Sequence, residues 1–187
     1  MNPDHEEIVR LAEEYGGPWG INHTRRLLKL IEIIGKDRAY DAEAVWLAAH
    51  LHDWGAYGAW AQPGVDHALR SRQVAEPFLR ERGCPPELLN RVLECIEYHH
   101  QGSPGRSIEA ILLSDADALD FLGVVGVLRD FSRNPKDLRR GYQDVQRHRG
   151  KLPGLLCLPR SQELASGRIK MMDDMLRAFG EDSFGLF

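Results

Sequence analysis

Several histidine and aspartate side chains fall where helical periodicity predicts a buried, apolar helix face. A single buried histidine or aspartate is most often a hydrogen-bonded core residue. Several buried carboxylates without a cation, however, would each be strongly destabilising. Imidazole nitrogen together with carboxylate oxygen suits Mn, Fe, Zn, Ni or Co, and suits Mg less well. We therefore expect a divalent metal site built from members of this set: His23, His52, Asp53, His99, His100, Asp115, Asp117 and Asp120.

The elements that must position these residues are helices. A period near 3.6 residues recurs along nearly the whole chain, and no convincing stretch alternates as a half-buried strand does. Asp4 is suited to cap the first helix, later helices should start at Asp41 and Asp66, and the GGP stretch at 16–18 should break the first helix. The region 134–159 gives no clear pattern. The sequence predicts an all-α protein, folded as a single compact helical domain over residues 1–187.

Composition and charge narrow the class of protein. With 187 residues, 43% of them hydrophobic and 28% charged, the chain is typical of a globular protein. A net charge of -4 argues against a general binder of nucleic-acid polymers or anionic membranes. The cysteines form no CxxC pair, the opening segment is acidic, and no apolar run has the length of a membrane span. We expect a cytoplasmic protein with reduced thiols.

The ordered His and Asp residues resemble the HD-domain superfamily of metal-dependent phosphohydrolases. That superfamily is defined by a His, a His-Asp pair and a distant Asp, which NHTRRLLKL, AAHLHDWG and SDADALDFLG supply here. The segment DADALDFLGVVGVLRDF is similar to the DADRLDxxGxxG stretch of a bacterial subgroup that includes nucleotide pyrophosphohydrolases, with Ala118 in place of Arg. The resemblance covers nearly the whole chain. It implies one or two divalent metal ions per chain, the first held by His23, His52, Asp53 and Asp117.

Additional histidines resemble those of HD enzymes that hold two metals, such as the HD-GYP phosphodiesterases, the diadenosine tetraphosphatases and the myo-inositol oxygenase branch. His67, together with His99 or His100, could complete a second metal site or contact substrate phosphate. The alternative for His67 is a solvent-facing position at a helix start. Adjacent residues of a helix point about 100° apart, so we expect only one of His99 and His100 to face the site and favour His99.

The resemblance implies hydrolysis, in which a water molecule activated by the metal attacks phosphorus. Catalytic roles fall to His52, Asp53 and Asp115. Asp115 would orient a metal ligand, although it could instead cap a neighbouring helix. Substrate phosphate needs cationic partners, and solvated helix positions are the alternative for these candidates. The candidates are Arg129, Arg133 and Arg168.

The leading hypothesis is a phosphohydrolase that cleaves a phosphate ester or anhydride of a small molecule, with a nucleotide as a candidate substrate. A di-iron oxygenase on the same scaffold is one alternative, and a binding or regulatory module that retains metal without turnover is another. Trp54, Tyr57 and Trp60 could stack on a base or sugar, or cap the core. The sequence also allows a homodimer, since helical domains of this size often pair through exposed apolar faces.

Overall fold

The computed structural model describes residues 3–187, which form helices joined by short loops. The helices are α1 His5–Ile34, α2 Ala42–Leu51, α3 His67–Glu81, α4 Pro86–Tyr98, α5 Ile108–Asp120, α6 Val124–Arg133, α7 Leu138–Lys151 and α8 Pro159–Asp182. Two short 3-10 turns span Trp54–Ala56 and Leu152–Leu155. Residues 3–187 contain no strand, so the predicted all-α class is confirmed. No described helix combines the length and apolar character that a membrane crossing requires.

Three of these helices begin at the aspartates where the sequence predicts a helix start, and each aspartate caps its helix. The Asp4 carboxylate accepts a hydrogen bond from the Glu6 N–H at 3.0 Å, and Asp41 accepts one from the Ala44 N–H at 3.1 Å. Asp66 accepts two, from the first turn of α3. Each bond satisfies a backbone donor that the helix itself leaves unpaired. The region 134–159, which lacks a clear pattern in sequence, contains α7 and the second 3-10 turn.

Helix α1 is interrupted at Gly17, as the GGP stretch predicts. The backbone of Gly17 has φ 59° and ψ -167°, in the region of positive φ that a residue without Cβ adopts readily. Pro18 follows and suits the start of the second helical segment, because the first N–H of a helix has no intrahelical acceptor. The second segment carries His23, whose side chain is buried.

The chain divides into an N-terminal unit that ends at Ala116 and a C-terminal unit that begins at Asp117. Within the N-terminal unit, α2 packs against α1 and α4, and α3 packs against α4 and the first 3-10 turn. Leu27, Leu47 and Ile96 are fully buried there. Within the C-terminal unit, α6 packs against α7 and α8. A single domain over residues 1–187 stays a prediction.

Candidate metal centre

The first cluster of candidate ligands contains His23, His52 and Asp53. His23 lies in α1, His52 ends α2, and Asp53 precedes the first 3-10 turn. His52 Nε2 lies 3.3 Å from His23 Nε2 and 3.4 Å from Asp53 Oδ2. His23 Nε2 and Asp53 Oδ2 are 3.9 Å apart. One ion with ligand bonds of about 2.0–2.2 Å can be held by atoms at these separations.

The backbone sets the proton position on two of the imidazole rings. His52 Nδ1 lies 2.9 Å from the Ala49 carbonyl oxygen, and His99 Nδ1 lies 2.7 Å from that of Ile96. A carbonyl oxygen only accepts, so in the neutral ring Nδ1 carries the proton and Nε2 presents a lone pair. Metal-ligating histidines are oriented in this way by a partner on the second nitrogen. The donor set therefore fits a divalent metal ion.

A second cluster contains His67, His99 and His100, each of which offers a ring nitrogen within 4.8 Å of the other two. His67 begins α3, and its Nε2 lies 3.1 Å from His99 Nε2. Both His99 and His100 join the cluster, which differs from the expectation that only one would face it. His99 keeps helical backbone angles, φ -60° and ψ -22°, and the His67 ring on α3 lies 5.1 Å from each of the two rings, so all three come together.

Asp53 connects the two clusters through its two carboxylate oxygens. Oδ2 lies 3.4 Å from His52 Nε2, whereas Oδ1 lies 3.8 Å from His67 Nε2. Burial opposes ionisation of Asp53, but His52, His23, His99 and His67 together hold its pKa far below the usual range. The side chain is therefore ionised at neutral pH, and its two oxygens face different clusters.

Asp66 lies beside the second cluster, in addition to standing at the predicted start of a helix. Asp66 Oδ2 lies 3.9 Å from His67 Nδ1 and 3.8 Å from His100 Nε2. Burial acts to raise the pKa of Asp66, but backbone N–H groups and the two histidines lower it. The helix start at Asp66 is visible in sequence, whereas the approach of His100 depends on the packing of α3 against α4.

Comparison of the sequence with known protein families identifies the family of this chain. The HD domain family matches residues 20–122, a range that includes both clusters. The chain belongs to the HD domain family. The resemblance of the sequence to HD proteins is thereby confirmed, while the DADRLDxxGxxG subgroup stays a prediction.

Solved structures share the HD fold along nearly the whole chain. A predicted HD superfamily hydrolase from an uncultured Thermotogales bacterium is 23% identical, with a TM-score of 0.69 over 96% of this chain and 93% of that one. An HD-superfamily hydrolase from Bacillus thuringiensis is 20% identical, with a TM-score of 0.71 over 95% of each chain. Bacillus subtilis YpgQ in complex with ADP is 23% identical, with a TM-score of 0.73 over 95% and 93%. A search of curated proteins finds no match.

The two predicted aspartates of α5 belong to different units of the HD protein. Asp115 is fully buried in the N-terminal unit, and Asp117 is half-buried at the start of the C-terminal unit. Within residues 3–187, the two metal-compatible groups of side chains contain neither aspartate. Asp117 as a metal ligand and Asp115 as a catalytic residue therefore stay predictions.

The three predicted phosphate-binding arginines lie in the C-terminal unit and differ in exposure. Arg129 is buried and pairs with Asp120 at 2.5 Å. Arg168 donates hydrogen bonds to the backbone carbonyls of Leu119 and Leu122, at 3.0 and 3.1 Å. The Arg133 side chain is 49% exposed, which leaves its guanidinium the most accessible of the three. Phosphate binding by these arginines stays a prediction.

Proposed function

We propose that this HD-domain protein is a divalent-metal-dependent phosphohydrolase that cleaves a phosphate ester or anhydride of a small molecule. The observation that carries the proposal is the cluster of His23, His52 and Asp53, in which the Ala49 carbonyl directs the lone pair of His52 Nε2 toward the other two ligand atoms. A nucleotide is the substrate class we favour. The complex of the structurally similar YpgQ with ADP supports that choice.

We also propose that the protein holds two metal ions. His23, His52 and Asp53 would hold the first, with Asp117 as the fourth ligand that the sequence motif assigns. The second would be held by the cluster of His67, His99 and His100. The proposal of two ions is supported by Asp53, whose two carboxylate oxygens face different clusters.

A divalent metal, when bound, supplies Lewis-acid activation of water and neutralises charge on the phosphoryl oxygens. The protein's own residues contribute the orientation of the ligand atoms and the negative charge that a cation needs. The Ala49 carbonyl holds the proton of His52 on Nδ1, which fixes both the ring orientation and the donor atom. Asp53 has a pKa below its usual range, so it carries its negative charge at neutral pH.

The experiment that tests the function couples metal analysis to product release. Protein purified without chelators is assayed for phosphate and pyrophosphate release from a panel of nucleotides and phosphate esters, before and after EDTA treatment. We expect release that EDTA abolishes, that added Mn²⁺ restores, and that is lost in Asp117→Ala. Two bound iron ions with oxygen consumption, and no release from any substrate, would overturn the hydrolase proposal in favour of an oxygenase.

A further inference from the structure

Backbone hydrogen bonds in and after the first 3-10 turn hold Tyr57 in place relative to Asp53 of the first cluster. The first 3-10 turn begins immediately after Asp53, and the Ala56 N–H donates to the Asp53 carbonyl at 2.9 Å. The Tyr57 N–H then donates to the Trp54 carbonyl at 3.1 Å, and the Tyr57 carbonyl accepts from the Ala61 N–H at 2.8 Å. Backbone hydrogen bonds on both sides therefore hold the Cα of Tyr57 relative to Asp53.

The phenol ring of Tyr57 occupies a notch made by two glycines of α1. A Cβ at Gly16 or at Gly20 would lie 2.6 Å from Tyr57 Oη, so no other residue type fits without moving the ring. Gly20 precedes His23 by about one helical turn, and residues at that spacing share a helix face. Helical side chains also tilt toward the N-terminus of their helix. The Tyr57 ring therefore packs against the face of α1 that carries His23.

The Tyr57 hydroxyl forms no hydrogen bond with any residue in the described range 3–187. The residue is half-buried, so the hydroxyl keeps some access to solvent. Burial raises the pKa of Tyr57, and the charge of Asp53 raises it further, so the hydroxyl keeps its proton at neutral pH. The ring is thus held firmly, and the hydroxyl is a neutral donor that a bound ligand can use.

We propose that Tyr57 is a substrate-binding residue whose hydroxyl donates a hydrogen bond to a nonbridging oxygen of the substrate phosphoryl group. This inference rests on the proposed phosphohydrolase function. A phosphoryl oxygen is a strong, charged acceptor, and a preorganised donor stabilises charge on it without reorganisation. A neutral phenol also adds no positive charge beside the metal-binding histidines, which an arginine or lysine at this position would do.

The test uses inorganic phosphate as the probe and the Mn²⁺-loaded full-length protein. Tyr57→Phe keeps the ring in its glycine notch and removes only the hydroxyl. The matched control is Tyr15→Phe, because Tyr15 packs against Trp60 with ring centroids 4.5 Å apart and is 41% exposed. Phosphate affinity is measured by calorimetry, metal content by elemental analysis, and kcat/KM on a substrate found in the panel.

We expect Tyr57→Phe to weaken phosphate binding about tenfold, since hydrogen bonds to charged groups are worth at least that factor. Metal content should be unchanged, and Tyr15→Phe should bind phosphate as the wild type does. Full phosphate affinity in metal-loaded Tyr57→Phe would overturn the role of Tyr57 while leaving the phosphohydrolase proposal intact. Failure of the metal-loaded wild type to bind phosphate and to release any product would overturn both.

Discussion

At the scale of single residues, the central feature of the site is Asp53, whose two carboxylate oxygens face different histidine clusters. One oxygen faces His52 and the other faces His67, so a single carboxylate serves both histidine clusters. Backbone carbonyls at Ala49 and Ile96 fix the protons of His52 and His99 on Nδ1. These local hydrogen bonds prepare the ring nitrogens as ligands before any metal arrives.

Asp53→Asn should reduce both metal content and phosphate release. The amide is neutral and cannot bridge two cations as a carboxylate does, so we expect activity to fall by at least about 100-fold, the upper end of what loss of a supporting group causes. Metal per chain and initial rate are measured on the same samples. Asp37→Asn, at an exposed position, is the control and should behave as the wild type. Unchanged metal content in Asp53→Asn would contradict a role of Asp53 as a metal ligand.

His67→Ala should remove one metal ion selectively. The second cluster would keep only His99 and His100, whereas the first cluster keeps all its ligands. We expect the metal content to fall from about two ions per chain to about one, because two imidazoles alone provide fewer ligands than protein metal sites usually have. Elemental analysis after dialysis reports the stoichiometry. Retention of two ions in His67→Ala would show that the second cluster is not a metal site.

At the scale of elements, close packing between the first 3-10 turn and α3 sets the distance between the two clusters. The Gly55 N–H donates to the Ser71 hydroxyl at 2.8 Å. A Cβ at Gly55 would collide with the His67 carbonyl and would lie 2.5 Å from the Ser71 backbone nitrogen. The absence of a side chain at Gly55 therefore lets Asp53, just before the turn, approach His67 at the start of α3.

Gly55→Ala should destabilise the fold and disturb the second metal site together. Overpacking of this kind typically costs about 1–3 kcal/mol, and the obstructing atoms here are backbone atoms, which move less easily than a side-chain end. Gly58→Ala is the matched control in the same loop, since a Cβ there meets no atom within 4 Å. Thermal unfolding and metal content are measured for both variants. Equal Tm values for Gly55→Ala and the wild type would contradict this packing argument.

The sequence predicts the elements well where the signal is local. The cap at Asp4, the helix starts at Asp41 and Asp66 and the break at Gly17 all depend on residues close in sequence. His99 and His100 show the limit, because both rings join one cluster only when α3 places His67 beside them. The contact of Tyr57 with Gly16 and Gly20 arises only when distant segments pack, so the sequence pattern around Tyr57 leaves its side chain equally suited to stacking or to the core.

At the scale of the whole molecule, an ion pair joins α1 to the end of α3, two parts of the N-terminal unit that are far apart in sequence. Arg82, at the end of α3, donates two hydrogen bonds of 2.7 Å to the Glu7 carboxylate on α1. The hydrogen bond from Arg82 lowers the pKa of Glu7. A carboxyl group whose pKa is lower in the folded state stabilises the fold above its unfolded pKa, and this contribution is lost as the pH falls through the folded pKa.

Glu7→Gln should therefore lower the Tm at pH 7 and have little effect in acid below the folded pKa of Glu7. Thermal unfolding of wild type and variant across this pH range measures the difference. Glu14→Gln, which breaks only the exposed pair with Arg10 within α1, should have a smaller effect at pH 7. An equal Tm difference between Glu7→Gln and wild type at pH 7 and at the acidic pH would contradict the assignment of stability to this ion pair.

The most direct test of the central proposal is a titration of metal-free protein with Mn²⁺, in which bound metal per chain and phosphate release from the best substrate are measured in the same samples. Two metal-compatible clusters joined by Asp53 predict that activity rises with occupancy and saturates at about two ions per chain. Saturated metal binding with no phosphate or pyrophosphate release from any substrate would contradict a metal-dependent phosphohydrolase.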